Sequence, residues 1–389
     1  MRKFDVLLLV PYFCAGGKGK SSPALGGYEP VSFGGTDLST LSLAEGLKRR
    51  GHNVYVMFAD SGLPEEFSTR EIPYILAPVD KRNPWGIFIG ACHIKKFVTK
   101  NKIKIIHSQT VVPTFMACLA KLITKRVEFK IIWHCRGIKH CNYALVGHLL
   151  NSLIDFVITN SDFARKKVIK GGFLPKKVKT AYNCLNFPFP DRIEKNRMLM
   201  KELGITKDIY VIGTVSRLDL DRGVEYFLQA AALVKNNLNS IKFLIVGGGP
   251  CANVFLKQAH DLGIKEDIIF LGARRDVGRV YSILDVFVNP CPLDTGTGNT
   301  NAEAMAFAKP VIACNSGGAP ELVQDNITGI LVPPENPKKL AEAILYLLRN
   351  RERAGEMGLG GRKVIKNYFT QERLIQEIEE IYYKLLNDS

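Results

Sequence analysis

Residues 209–223 read IYVIGTVSRLDLDRG and hold the pattern that decides the fold. The apolar run Ile209–Val215 has the β-branched composition of a buried strand, and helical spacing begins after Arg222-Gly223. A polar loop that carries Arg217 lies between the two. Because a nearly continuous apolar strand needs cover on both faces, this unit predicts a parallel sheet between two layers of helices.

The same alternation of strands and helices extends along the chain in both directions. Strands are predicted at Phe4–Pro11, Asn53–Phe58, Ile103–His107, Lys130–Trp133, Phe156–Asn160, Lys242–Gly247, Ile268–Leu271, Val286–Pro290 and Pro310–Cys314. The clearest helical spacing covers Thr36–Gly51, Gly86–Lys100, Thr114–Thr124 and the stretches at about 338–350 and 371–387.

The proline-rich segment Tyr182–Arg192 separates two such series. The chain is therefore expected to be α/β, with two Rossmann-like doubly wound parallel-sheet domains facing a cleft. We expect an N-terminal domain over residues 1–185 and a C-terminal domain over 186–369. A helix over 370–389 is expected to pack back towards the N-terminal domain. Each domain should bind ligands at the carboxyl ends of its strands.

Charge is distributed unevenly along a chain of 389 residues whose composition, 46% hydrophobic and 23% charged, excludes disorder. Residues 1–190 carry 28 Lys and Arg against 12 Asp and Glu, whereas residues 191–389 carry 25 of each. This asymmetry predicts two units with different partners. A basic nucleic-acid-binding protein is one alternative, but no helix-turn-helix, RNA-recognition or zinc-finger pattern accompanies the charge, so we expect no nucleic-acid partner.

The cysteines and the apolar runs bear on the compartment. Nine cysteines occur without a CxxC pair, which is typical of a reducing cytosol. Asp5 breaks the charged-then-apolar order of a signal peptide and Pro11 ends a run of only five apolar residues, which favours a strand. No run reaches the ~18–20 residues of a membrane span. We expect a cytoplasmic protein, with peripheral attachment at the inner face of the cell membrane as an alternative.

Glycine-rich loops after the predicted strands are candidate anion sites. Gly34-Gly35 precede one helix and Gly298 precedes another, and backbone N–H groups at a helix N-terminus attract phosphate. For Gly34-Gly35 alone, a flexible loop before a capped helix is the alternative. The guanidinium groups of Arg217 and Arg222 suit a diphosphate. Glu303, one turn into its helix, offers a carboxylate that could accept hydrogen bonds from both hydroxyls of a ribose.

In their order and spacing these motifs resemble the retaining glycosyltransferases of the GT-B fold, specifically glycosyltransferase family 4. The resemblance covers nearly the whole chain. It rests on Asp5–Pro11, Gly34-Gly35, Leu47–Val56, Trp133-His134, Asn160-Ser161, Tyr182-Asn183, Ser216–Gly223 (SRLDLDRG), Ala302–Ala306 (AEAMA) and Gly317–Glu321 (GGAPE).

Two positions depart from the family pattern. The family usually has Lys where Arg222 stands, so a planar guanidinium group replaces a compact ammonium group of the same charge. The family motif also places a glutamate eight positions before Glu303, where this chain has Thr295 with Asp294 beside it. Whether Asp294 replaces that glutamate is open.

The resemblance implies transfer of a sugar from a UDP- or GDP-linked donor to a hydroxyl acceptor, with the anomeric configuration kept and without a metal or other cofactor. It assigns catalytic roles to His134, Arg217 and Arg222. His134 would hydrogen-bond a sugar hydroxyl or help the acceptor lose its proton. Substrate contacts are expected from Gly34, Gly35, Gly272, Arg274, Asp294, Thr295, Gly298, Asn299, Thr300 and Glu303. The triplet Asp219-Leu220-Asp221 resembles a metal signature of another fold and is interpreted here as a solvated loop.

The basic first half favours a large, anionic or membrane-borne acceptor. A glycan or lipid-linked intermediate of cell-surface polysaccharide synthesis fits both the charge and the family. Helical spacing over 161–170 predicts that Arg165, Lys166 and Ile169 face an anionic headgroup layer; a solvated basic surface is the alternative. A nucleotide-sugar epimerase of the same fold is the alternative enzyme, and it would consume the donor without an acceptor.

Overall fold

The computed structural model describes residues 3–12, 35–59, 65–124, 127–136, 142–185, 189–293 and 297–387. The chain forms two compact units. The first combines the described residues up to 185 with 369–387, and the second spans 189–368. Among the helices in the described ranges, none is both long and apolar enough to cross a membrane.

The first unit is built on a seven-stranded parallel sheet with the order β3-β2-β1-β4-β5-β6-β7. Its strands are β1 Asp5–Tyr12, β2 Asn53–Ala59, β3 Tyr74–Leu76, β4 Ile105–Ser108, β5 Lys130–Cys135, β6 Phe156–Thr159 and β7 Val178–Thr180. Its helices are α1 Gly35–Arg49, α2 Glu65–Ser68, α3 Pro84–Asn101, α4 Val111–Ile123, α5 Tyr143–Leu150, α6 Asp162–Lys170 and α15 Gln371–Asn387.

Strand β1 shows why this sheet is covered on both faces. Val6 and Leu8 lie in the apolar core that α1 and α15 close, whereas Leu7 and Leu9 lie in the core under α3 and α4. All four side chains are fully buried. Alternate residues of a strand point to opposite faces, so a run of five leucines and valines supplies both cores at once.

The second unit has a six-stranded parallel sheet with the order β10-β9-β8-β11-β12-β13. Its strands are β8 Tyr210–Val215, β9 Ile241–Val246, β10 Ile268–Gly272, β11 Val286–Asn289, β12 Val311–Cys314 and β13 Gly329–Val332. Its helices are α7 Arg197–Glu202, α8 Val224–Lys235, α9 Ala252–Asp261, α10 Val277–Ile283, α11 Asn299–Ala306, α12 Ala319–Leu322, α13 Pro337–Arg349 and α14 Arg351–Tyr368. The expectation of two Rossmann-like domains is confirmed.

Several elements lie outside the sequence-based expectation, among them three short strands and one long helix. The strands β3, β7 and β13, of three or four residues, each lie at a sheet edge, where short strands leave little apolar pattern. The helix α14 contains Gly355, Gly358, Gly360 and Gly361, which lower helix propensity. A Cβ on Gly358 would lie 2.1 Å from the carbonyl oxygen of Ala308, so α14 needs a glycine there to pack this closely.

Candidate active site

The loops at the carboxyl edge of the second sheet interlock around the segment 216–223. The Ser216 N–H donates to the Val246 carbonyl at 2.9 Å, and the Leu218 N–H donates to the Gly248 carbonyl at 3.0 Å. These bonds join the loop after β8 to the loop after β9.

Gly223 joins the same loop to the one after β11. Its φ is +74°, and a Cβ there would lie 2.1 Å from the Pro290 carbonyl oxygen, so glycine is required on both counts. The structure thus brings the loop that carries Arg217 and Arg222 beside the loop that leads to α11.

Both arginines of this loop lie beside a carboxylate of the Asp219-Leu220-Asp221 triplet. Arg217, 61% exposed, pairs with Asp219, and the Nε atom of Arg222 lies 3.5 Å from Asp221 Oδ1. Among the described residues, the buried Nε of Arg222 has no hydrogen-bond partner. Arg217 is therefore engaged with Asp219, whereas Arg222 keeps donor capacity for an anion.

Helix α11 places a helix N-terminus and a buried carboxylate one turn apart. Gly298, with φ of +83°, precedes α11, whose N-terminus carries the positive end of the helix dipole. Glu303 is 9% exposed, and the Tyr281 hydroxyl on α10 donates to its Oε2 at 2.7 Å. Burial raises the pKa of Glu303 to about 7, while the Tyr281 hydrogen bond acts in the opposite direction.

The loop after β10 places Gly272 and Arg274 at the same edge. Gly272 has φ of +65°, and its carbonyl accepts the Gly247 N–H at 2.8 Å. Arg274 donates through Nε and Nη2 to the two carboxylate oxygens of Asp276, at 2.8 Å each. Because this guanidinium is engaged within its own loop, the ligand contacts expected here are those of the backbone.

In the first unit, His134 lies in β5, one residue before the end of the strand, and is fully buried. Its Nδ1 lies 3.2 Å from Nε2 of His107 on β4, while its own Nε2 has no partner among the described residues. Burial first, and the charge of Arg136 second, lower the pKa of His107 to about 3. The same two causes, with His107 added, lower the pKa of His134 well below its ordinary value. Both rings are therefore neutral.

Sequence reasoning missed the polar residues around these histidines. Arg136 donates to Oε1 of Gln109 at 2.9 and 2.7 Å and to Oδ1 of Asn183 at 2.8 Å. Burial lowers the pKa of Arg136 to about 10. The Nε2 of buried Gln109 has no hydrogen-bond partner among the described residues. Their positions just after β4 and β5 were the available signal, since residues at strand ends share one edge of the sheet.

The structure does not describe the side chains of four residues that are expected at the site. Gly34, Asp294 and Thr295 lie outside the described residues, and Gly35 is described only through the backbone that begins α1. Nothing structural is therefore added to their predicted roles.

The expected membrane face on 161–170 is wrong in part. Lys166 is exposed, but Ile169 packs against the apolar core and the Nε of Arg165 donates to the Val178 carbonyl at 3.3 Å. The helix covers its own sheet, so its apolar residue is not free to face lipid.

Two family models match the two units separately. The model described as Glycosyltransferase Family 4 matches residues 33–187, and the model described as Glycosyl transferases group 1 matches residues 196–364. The chain belongs to glycosyltransferase family 4. As a family 4 glycosyltransferase it has the GT-B architecture, in agreement with the two parallel sheets.

Individual relatives of this glycosyltransferase match different shares of its length. N-acetyl-alpha-D-glucosaminyl L-malate synthase of Bacillus anthracis is 26% identical over 92% of this chain and 96% of its own. A GDP-mannose-dependent alpha-(1-6)-phosphatidylinositol monomannoside mannosyltransferase of Mycobacterium tuberculosis is 34% identical over 43% of this chain and 45% of its own. The Anabaena protein HepE, solved in complex with UDP, has a TM-score of 0.81 and 20% identity over 98% of this chain and 100% of its own. This last likeness shows the fold.

Proposed function

We propose that this family 4 glycosyltransferase moves a sugar from a nucleotide diphosphate sugar to a hydroxyl acceptor with retention of the anomeric configuration. The proposal rests on the carboxyl edge of the second sheet. There the loop that carries two arginines lies beside the loop that leads to α11, the helix that contains the buried Glu303. The UDP bound to HepE and the GDP-mannose dependence of the mycobacterial relative support a nucleoside diphosphate donor, linked to either base.

The residues divide between the two parts of the donor. Arg217, Arg222 and the first amides of α11 would bind the diphosphate and stabilise the negative charge that grows on it as the sugar leaves. The Glu303 carboxylate, held by Tyr281, would accept hydrogen bonds from the ribose hydroxyls. In the first unit, Nε2 of His134, which has no hydrogen-bond partner among the described residues, would contact a hydroxyl of the sugar or the acceptor.

Calorimetric titration with UDP and GDP sugars tests the donor assignment directly. Glu303→Ala should weaken donor binding roughly 10–150-fold, and Arg217→Ala should chiefly lower turnover, because each removes a charge-assisted hydrogen bond. Glu342→Ala and Arg353→Ala, which alter exposed ion pairs on α13 and α14, are matched controls. Unchanged donor affinity in Glu303→Ala would refute the ribose assignment, and donor consumption without an acceptor would favour the epimerase alternative.

We also propose that the transfer needs no divalent ion. The guanidinium groups and the helix N-terminus supply the positive charge that a metal would otherwise provide, and the Asp219 and Asp221 carboxylates already lie beside those arginines. Full activity is expected in excess chelator. Activity that chelator abolishes and manganese restores would instead make Asp219 and Asp221 metal ligands.

A membrane-borne or otherwise anionic acceptor is proposed for the first unit. Helix α3 carries Trp85 and Phe88, 70% and 43% exposed, with ring centroids 5.7 Å apart. Lys95 and Lys96 are also exposed, and their spacing places them on the same helix face. Aromatic and basic side chains together suit a surface of anionic lipid. The lipid acceptor in the name of the mycobacterial relative supports a lipid-linked glycan.

A further inference from the structure

Three buried neutral groups form a hydrogen-bonded chain that ends at His134. The Tyr382 hydroxyl, on α15, lies 2.7 Å from Nδ1 of His107, and Nε2 of His107 lies 3.2 Å from Nδ1 of His134. All three side chains are fully buried, and the two imidazole rings stack with centroids 5.3 Å apart. Burial and the charge of Glu379 raise the pKa of Tyr382 well above its ordinary value, so the phenol keeps its proton.

The phenol fixes the direction of this chain. Nδ1 of His107 is the hydrogen-bond partner that the described residues give the Tyr382 hydroxyl. Either direction leaves one buried donor without an acceptor among the described residues: the Tyr382 O–H if the hydroxyl accepts a hydrogen bond from Nδ1, or the Nε2–H of His134 if the hydroxyl donates. Only the second donor lies at the proposed reaction site, where an oxygen of a bound substrate supplies the acceptor. The hydroxyl therefore donates to Nδ1, and His107 carries its proton on Nε2.

The same reasoning carries over to His134. The Nε2–H of His107 donates to Nδ1 of His134, which must accept and is therefore unprotonated. A neutral imidazole holds one proton, so His134 holds it on Nε2, the atom without a partner among the described residues. An N–H at that atom donates a hydrogen bond and cannot take a proton.

We propose that Tyr382 is a positioning residue which, through His107, fixes the tautomer of His134 so that its Nε2–H donates to an oxygen of the bound sugar or acceptor. The inference rests on the proposed function for the place of His134 at the reaction site. It decides between the two roles open to that histidine: His134 serves as a donor, not as the base that deprotonates the acceptor.

Helix α15 is anchored firmly enough to hold Tyr382 in this position. Glu379, one turn before Tyr382, accepts from Nη2 of Arg50 at 2.8 Å and lies 2.7 Å from Nε2 of His52. Ile375 and Ile378 are buried in the core that α15 shares with α1. Because three separate contacts fix the helix to the first unit, removal of the Tyr382 hydroxyl alone should leave the helix in place.

Nitrogen NMR of the full-length protein with labelled histidines tests the tautomer without requiring turnover. In the unaltered protein, His134 should show a protonated Nε2 and an unprotonated Nδ1. Tyr382→Phe should let the proton redistribute, so that Nδ1 of His134 becomes partly protonated, while Tyr383→Phe, the same change at the next residue, should not. A protonated Nδ1 in the unaltered protein, or no response to Tyr382→Phe, would overturn the proposal.

A double-mutant cycle links the tautomer to transfer. Tyr382→Phe should lower kcat roughly 3–10-fold with the donor KM unchanged, and it should have no further effect in a His134→Ala background. If Tyr382→Phe lowered kcat by the same factor in the unaltered and the His134→Ala proteins, Tyr382 would have only a structural role. If sugar transfer itself were absent, the NMR result would still stand, so the failure of the proposed function can be told from the failure of this inference.

Discussion

At the scale of single residues, burial and one hydrogen bond set the charge of Glu303. Burial raises the pKa of this carboxyl to about 7, and the hydrogen bond from Tyr281 partly offsets the rise because it stabilises the ionised form. The carboxyl therefore changes its charge within the physiological pH range. The ionised form accepts hydrogen bonds from the ribose hydroxyls more strongly than the protonated form, so donor binding and protonation compete.

This competition predicts a pH-dependent donor affinity. Affinity should rise as the pH increases through about 7, since Glu303 loses its proton there. Tyr281→Phe should move the midpoint upward by roughly one pH unit, because the ionised carboxylate loses a hydrogen bond. Calorimetric titrations with a nucleotide sugar between pH 6 and 9 measure both effects. Glu303→Gln is the control that should flatten the profile, and a flat profile in the unaltered protein would contradict the prediction.

Residue identity and spacing were sufficient to find the loops of the candidate site but not the partners of its side chains. Arg217, Arg222 and Glu303 follow apolar strands, and the parallel topology then requires that they share an edge. Tyr382 lies in the helix predicted at about 371–387, and Tyr281 lies in a segment without a predicted element, so nothing in the sequence marks either one as a hydrogen-bond partner. Tyr382 is 275 positions from its partner His107, and only tertiary packing brings such positions together.

At the scale of elements, α14 shows how packing can override helix propensity. Residues 351–368 have no predicted element, and their four glycines lower helix propensity, yet they form a continuous helix of 18 residues. Gly358 faces the Ala308 carbonyl, and a Cβ on Gly361 would lie 3.1 Å from Met305 on α11. The close approach of the two helices stabilises what local propensity does not.

Two glycines of α14 therefore predict opposite effects of the same substitution. Gly358→Ala would place a Cβ 2.1 Å from a backbone oxygen and should destabilise the protein by about 1–3 kcal/mol. Gly355→Ala meets nothing within 4 Å and should stabilise it by about 0.5–1 kcal/mol. Denaturant titration of both variants measures the difference. Equal effects at the two positions would show that α14 does not pack on this segment as described.

At the scale of the whole molecule, the excess positive charge of the N-terminal half predicts salt-sensitive attachment to anionic lipid. The protein should float with anionic vesicles at low salt and less with neutral ones, since each Lys or Arg near the surface contributes ~1 kcal/mol. Trp85→Ala with Phe88→Ala should reduce recovery, whereas Leu359→Ala, which alters an exposed apolar side chain of the second unit, should not. Equal recovery with anionic and neutral vesicles would contradict attachment to anionic lipid and would favour a soluble acceptor.

The place of α15 in the first unit has a consequence for synthesis on the ribosome. The strands of that unit emerge first, but the core that α1 shares with α15 lacks Leu374, Ile378 and Tyr382 until the whole second unit has been translated. The described residues of the second unit all lie within one stretch of the chain, 189–368, so this unit can complete its core as it leaves the tunnel. The second unit is therefore expected to finish its core before the first unit does. His107 lacks its hydrogen bond with Tyr382 until α15 packs on the first unit. We therefore expect the site around His134 to form only after the whole chain has been synthesised.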